Sequence, residues 1–326
     1  MLKSLYKRIK CFGLGFTIKY YFYKKTNKYD NYIKLLYSYM YKFLKPDIEK
    51  FNSSVRATAE FPVNKGISMV FVCWWQGEEK MPTLCKACYN RLHDVLSNKY
   101  KLVLITENNY SQYADIPSHI IDLFNSGKIS LTQFSDILRE ALIEKNGGIW
   151  IDSTVWTNEG INAYLDNIGD FWSIKLENIY NQSMYGQVIS KCQWSGFVLA
   201  GQTDSPVFKL LYHCMCKYFE HHDEVIDYFI QNIILRVIFD NCPFCEKILE
   251  SVKASNPHLY DIEYKLETPF DEYEYNKFCE NTSFFKLTYK GNYRQIIDSS
   301  RTYFGFICDY VNQETDIQSQ RIGSVT

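Results

Sequence analysis

The sequence predicts an α/β protein with a mixed central sheet, a Rossmann-like first half and additional helices. Three observations predict it. Strand, helix and strand patterns follow one another between Ile67 and Thr106, a helix from about Ser130 to Lys145 ends in a double glycine, and a strand leaves that pair from Gly148 to Asp152. Strand, helix and strand in one sheet imply a parallel, right-handed crossover. The length, 326 residues, suits one large domain or two small ones with a substantial core.

Taken in order, the first stretch from Met1 to Pro46 has Asp30 as its only acid among many lysines. Leu2, Leu5, Ile9, Phe12, Phe16 and Tyr20 recur at three- and four-residue intervals, so a helix here carries an apolar stripe between basic flanks. That helix either lies on an anionic membrane surface or docks its stripe on the rest of the protein with the lysines as its solvated face. Gly13 and Gly15 weaken it in both cases. A polar linker, Asn52 to Glu60, separates this arm, residues 1–60, from the domain proper, residues 61–326.

Ile67 to Cys73 reads as a buried strand, Met81 to Ser97 as a helix with Leu84, Cys88, Leu92 and Val95 on one face, and Lys101 to Thr106 as a second strand. A short helix is expected near Ile120 to Asn125. The Ser130 to Lys145 helix stops at Asn146-Gly147-Gly148, because glycine takes the left-handed conformation that closes a helix. Beyond Asp152 the pattern is mixed, with strands expected at Phe171 to Lys175 and Gly196 to Ala200, and helices at Ser205 to His221 and Glu224 to Asp240. After Asn256 the chain is rich in turns and aromatics, and no element is assigned.

Bulk composition narrows the function. Lys plus Arg (36) nearly cancel Asp plus Glu (37), so no field points to nucleic acid as a partner. Eleven cysteines without framework spacing fit a reducing cytoplasm, and no apolar run is long enough to span a bilayer, so membrane contact would be peripheral, at the inner face. Cys85 and Cys88, with Cys242 and Cys245, imitate two halves of a zinc site but stand too far apart in sequence. His213, His221 and His222 show no spacing tied to a carboxylate and read as core or surface residues.

The chemistry-bearing residues cluster around the double glycine. Asp136 and Arg139 are three apart and project from one flank of a helix whose apolar side is Leu131, Phe134, Leu138 and Leu142. An exposed pair of this kind would be worth only a few tenths of a kcal/mol, about 0.2–0.5. Asp152 stands at a strand's carboxyl end, where ligands sit in such sheets, as do Trp74 and Trp75. Adjacent residues on a strand end point to opposite faces, so one indole belongs to the core; Trp75 is assigned to the ligand. Mg²⁺ or Mn²⁺ takes one or two carboxylates and completes its shell with phosphate oxygens and water, and with cationic side chains it stabilises a departing diphosphate. Asp152 meets the carboxylate requirement.

The helix, the double glycine and the Asp152-Ser153-Thr154 turn resemble the capsular polysaccharide synthesis glycosyltransferases, relatives of the glycosyltransferases with a sugar-binding DXD motif. Phe71 to Gly77 with Met81-Pro82, then Trp194-Ser195-Gly196-Phe197, Asp227-Tyr228-Phe229 and, more weakly, Phe285 to Lys290 resemble further blocks of that family in the same order. The resemblance implies a GT-A fold for residues 61–326 and metal-assisted transfer from a nucleotide-sugar donor to a growing bacterial surface glycan, of capsule or lipopolysaccharide type. It implies a glycan or lipid-linked oligosaccharide as acceptor, and a retaining outcome is common among relatives. It assigns Trp75, Gln76 and Gly77 to the nucleotide, Asp136 and Arg139 to donor sugar and diphosphate, and Asp152 to Mn²⁺ or Mg²⁺. Gly148, Ser153, Thr154, Trp194, Ser195 and Asp227 complete the implied donor-binding set, with Asp152, Asp136 and Arg139 as the catalytic residues. Trp194 reads equally well as core and Asp227 as a solvated helix residue.

Two departures matter. Thr154 stands where the DXD motif has its second Asp, and Gln231-Asn232 stand where an acid is expected after Asp227-Tyr228-Phe229. They keep open a second reading, a catalytically silent sugar-nucleotide or glycan-binding protein.

Overall fold

The computed structural model describes residues 2–56, 67–178 and 185–311. In chain order its elements are α1 (Leu2–Phe12), α2 (Leu14–Lys25), α3 (Tyr29–Arg56), β1 (Met69–Cys73), α4 (Thr83–Val95), β2 (Lys101–Ile105), α5 (Tyr110–Tyr113), α6 (Ser118–Asn125), α7 (Leu131–Asn146), β3 (Gly148–Ile151), β4 (Val155–Thr157) and α8 (Ile161–Leu165). There follow β5 (Trp172–Ser173), α9 (Tyr185–Ser190), β6 (Val198–Gly201), α10 (Pro206–His221), α11 (Ile230–Asn241), α12 (Pro243–Glu250), α13 (Asp261–Lys265), α14 (Glu272–Cys279), β7 (Phe284–Lys286), β8 (Ile296–Ile297), β9 (Ser300–Arg301) and a closing helix over 303–311.

Five strands form the central sheet in the order β2-β1-β3-β6-β5. β1 runs parallel to β2 and β3, whereas β6 is antiparallel to β3 and β5, so the sheet is mixed as predicted. Alternation along the strands divides their side chains between two cores. Val70, Val72, Ile149, Ile151, Val198 and Ala200 face one side, covered by α4 and α8. Phe71, Trp150 and Leu199 face the other, under α7, α10 and α11. Near-continuous apolar strands are what burial on both faces requires.

Several boundaries differ from expectation. The helix expected from Glu224 begins only at Ile230, because the Asp227 carboxylate accepts the Phe229 N–H (2.9 Å) and holds a turn there. The strand expected over Phe171 to Lys175 shrinks to Trp172–Ser173. The expected linker is helical as far as Arg56, with Asn52 Nδ2 donating to the Asn241 carbonyl (3.0 Å); its remainder, residues 57–60, lies outside the described residues. The segment left unassigned after Asn256 supplies β7, which pairs antiparallel with β4.

The N-terminal stripe docks inward. Gly13 (φ 83°) breaks the expected helix into α1 and α2. Phe12 and Tyr20 are buried, and Phe16 packs on Tyr39 at 5.1 Å between ring centres. Arg8 donates to the Ile226 carbonyl and lies 3.6 Å from the Tyr20 ring centre. α3 buries Tyr32, Leu36, Met40, Leu44 and Ile48, every fourth residue, and packs on α11. The stripe is therefore not the free face of the arm. Leu14, Ile18, Tyr21 and Phe22, on the opposite side of α2, are exposed. Among the described residues no helix is long and apolar enough to cross a membrane.

Candidate functional site

α7 carries the site. Its start is set by a capping box, the Ser130 hydroxyl accepting from Gln133 N–H while the Gln133 side chain accepts from Ser130 N–H (2.9 Å). Phe134, Ile137, Leu138, Ala141 and Leu142 are buried in the core, and Asp136 and Arg139 lie on the cleft flank with exposures of 8% and 6%. Gly147 (φ 64°) closes the helix, its N–H on the Ile143 carbonyl at 2.8 Å. β3 then delivers Asp152 into a turn in which the Asp152 carbonyl accepts from Val155 N–H (3.0 Å) and the Asp152 N–H donates to the Phe197 carbonyl (2.9 Å).

Here four charged groups converge. Arg139 Nη2 is 3.0 Å from Asp136 Oδ1 and 3.7 Å from Asp152 Oδ1. Its Nη1 donates to the Gly196 carbonyl, and the guanidinium lies 5.0 Å from the Trp150 ring centre. Trp150 Nε1 donates to Asp152 Oδ1 (2.9 Å). From the other side, Lys286 Nζ donates to Asp152 Oδ2 (3.1 Å) and to Thr154 Oγ1 (2.6 Å). The β4–β7 register puts Lys286 there, since it pairs Lys286 with Val155.

These groups line a cleft of about 830 Å³, within the range of small-molecule sites. It opens at the carboxyl ends of β1 and β3. Burial pushes the Asp136 carboxyl up to about 6, with Arg139 opposing and Asp152 reinforcing the rise. Burial also acts to raise Asp152, but Lys286, Arg139 and the hydrogen bonds from Trp150 and Lys286 outweigh it and hold Asp152 below the usual carboxylate range. Two neighbouring carboxylates are thus driven apart, one poised and one firmly ionised. Glu140, fully buried one residue past Arg139, is pushed well up by burial and then by Asp136.

Of the residues expected from sequence, Trp75, Gln76, Asp136, Arg139, Asp152, Ser153, Thr154, Trp194 and Ser195 line the cleft. Gly77, Gly148 and Asp227 do not. Gly77 (φ 88°) shapes the turn just past Gln76. Gly148 (φ 121°) sits in the sheet at the far end of β3, where a Cβ would come within 2.6 Å of the Met69 carbonyl oxygen, so glycine is required by strand packing. Asp227 stands behind the wall, accepting from Tyr32 Oη (2.7 Å) as well as Phe229 N–H.

The two indoles diverge, although both line the cleft. Trp75 packs with Tyr110, Phe124 and Phe134 at 5.2, 5.4 and 5.3 Å between ring centres. Trp74 stands at the rim, Nε1 donating to the Lys80 carbonyl (3.0 Å) and its ring edge-on to Tyr289 (5.8 Å). Trp194 is almost fully buried and donates to Asn232 Oδ1 (3.2 Å), which makes it wall. Sequence reasoning missed Gln187, Tyr228, Tyr260, Glu263 and Tyr289 as lining residues and gave Lys286 no role. The Phe285 to Lys290 block was visible, but only strand register ties Lys286 to Asp152.

The residues present do not fit a resident Mg²⁺ or Mn²⁺. Asp152 is the one carboxylate of its turn, and both of its oxygens already accept hydrogen bonds, from Trp150 and Lys286. A divalent ion on Asp152 would also face an ammonium and a guanidinium, with Thr154 replacing the second carboxylate. Among the described residues no three His, Cys, Asp or Glu side chains gather as a ligand set. Cys88 packs with Leu84 and Trp156, while Cys242 and Cys245 belong to a different core.

A family profile described as capsular polysaccharide synthesis protein matches residues 18–307, which include every residue of the cleft. No curated protein and no solved structure matches the chain. Because the match covers most of its length, the chain belongs to the capsular polysaccharide synthesis protein family.

Proposed function

We propose that the chain is a GT-A-type glycosyltransferase that moves a sugar from a nucleotide-sugar donor to a growing capsule-type glycan. One observation carries this reading: Arg139 and Lys286 converge on Asp152 in a cleft at the carboxyl end of a buried strand, with Asp136 on the same wall. In the transfer the anomeric carbon's bond to the diphosphate breaks and a bond to an acceptor hydroxyl oxygen forms, the hydroxyl proton leaving to a base. The departing diphosphate gains negative charge. Arg139 and Lys286 stand ready to meet it without reorganising. Trp74 and Tyr289 offer ring faces at the rim for the base or a sugar. Against this, Gln231 and Asn232 put amides where an acid was expected, which favours the second reading of a binding protein without turnover.

A panel of UDP- and GDP-sugars, scored by thermal stabilisation and by slow release of free sugar, separates the readings. One donor class should raise the melting temperature by mass action. Release should fall by roughly 10²–10³-fold in Asp152→Ala, which removes the group that orients both cations. Stabilisation without release or transfer supports the binding protein. No stabilisation by any donor sinks both.

Asp136 adds a pH signature. Its native value of about 6 lies above the ~3.9 of an unfolded aspartate, so it becomes neutral as the pH falls through about 6. The cleft then gains net positive charge, and a nucleotide sugar, whose esterified diphosphate does not titrate there, should bind several-fold more tightly. Asp136→Asn should bind at the tighter level throughout. An affinity profile flat between pH 5 and 8 in the unsubstituted protein would contradict this.

The acceptor we propose is lipid-linked, presented at an anionic membrane. Leu14, Ile18, Tyr21 and Phe22 form an outward apolar face on α2, and Lys10, Lys19, Lys24, Lys25 and Lys28 are exposed around it. The arm also braces the cleft wall, through the bond from Tyr32 to Asp227 in the turn that leads to Tyr228 and Phe229.

A further inference from the structure

We propose that the Lys286 ammonium takes the place of a divalent cation, so that donor diphosphate is held and its leaving charge neutralised without metal. This rests on the donor reading above and adds a residue and a metal requirement to it.

Three features support the assignment. First, position: Lys286 Nζ bridges Asp152 Oδ2 (3.1 Å) and Thr154 Oγ1 (2.6 Å), the first and third residues of the turn that would otherwise ligate an ion. Thr154 replaces a second carboxylate, and its neutral hydroxyl accepts from an ammonium while bringing no second negative charge to a divalent ion. Second, fixity: the Lys286 backbone N–H donates to the Leu259 carbonyl (2.7 Å), and β7 pairs with β4 immediately after the turn. The side chain also passes over the Phe197 ring, 4.9 Å from its centre, which limits the directions open to it.

Third, charge. Three cations, Arg139, Lys286 and Lys290, line the cleft with three carboxylates, Asp136, Asp152 and Glu263, and one of those carboxylates, Asp136, is poised near 6. Either with or without the Asp136 proton, the unliganded site has no excess negative charge to attract a divalent ion. A diphosphate bridging Lys286 and Arg139 would instead meet two donors, as charge-assisted hydrogen bonds require.

The bland alternative is a Lys286–Asp152 ion pair that only ties β7 to the turn. Calorimetric titration of UDP, GDP and inorganic pyrophosphate into the full chain, once with EDTA and once with Mn²⁺, distinguishes the two. For at least one of these probes, affinity in EDTA should lie within about twofold of that in Mn²⁺. Lys286→Gln should weaken it roughly 10- to 100-fold in both conditions, the loss expected for one charge-assisted hydrogen bond. Lys286→Arg should recover part of it and, as a conservative cation, guards against a merely unfolded Gln variant. Binding that appears only with Mn²⁺ overturns the proposal while leaving the donor reading intact. Unchanged affinity in a folded Lys286→Gln also overturns it. Failure of every probe in both conditions removes the donor reading itself.

Discussion

Arg139→Ala is expected to cost about 3–5 kcal/mol of stability and to abolish measurable donor binding at the same time, the range seen when one partner of a buried ion pair is deleted. The side chain is 8% exposed and serves two carboxylates, the Gly196 carbonyl and the face of Trp150. Without it Asp136 and Asp152 share a cleft with Lys286 as the nearest cation, and Asp136 should stay protonated well above pH 6. Arg139→Lys should recover only part of the stability, because a single ammonium cannot reach Asp136, Asp152 and Gly196 in one planar fork. Urea unfolding with donor titration on the same samples checks this. A variant that melts like the parent and still binds donor would show that the guanidinium is neither structural nor in contact with phosphate.

Replacing Leu14, Ile18, Tyr21 and Phe22 together by serine should weaken binding to phosphatidylserine-containing vesicles by more than about a hundredfold. Fully burying one such side chain is worth roughly 1.5–3 kcal/mol, so even partial insertion of four exceeds the ~2.8 kcal/mol that a hundredfold requires. The fold should be untouched, since all four are exposed on the face of α2 turned away from α3. The opposite substitution set, Phe12, Phe16 and Tyr20, should unfold the arm instead. Vesicle sedimentation at low and moderate salt separates apolar insertion from lysine attraction, because only the latter is screened. Equal sedimentation of parent and variant would remove this face as the membrane contact.

The elements nearest the site were legible because each obeys a local rule. α7 was readable at both ends from Ser130 and Gly147, and β1, β2 and β3 from apolar runs bounded by turns, within about two residues. The placement of Asp136, Arg139 and Asp152 in one cleft followed from a helix flank and a strand end that share the double glycine. Alternation separated the two adjacent indoles but left neither wholly in the core, since Trp74 and Trp75 both line the cleft. Gly148 was read as a ligand residue when its contact is the neighbouring strand's backbone.

By itself the sequence determined the main element order from β1 to β3, the mixed α/β class and the charged trio on α7 and just past β3, since caps, periodicity and glycine conformations act over a few residues. Only the tertiary structure decided that Lys286, 134 residues after Asp152, sits on that carboxylate, and that the arm turns its aromatic stripe inward. Both depend on pairing between distant segments. Strand register and helix docking are selected by total burial across the chain, and no local pattern encodes that sum.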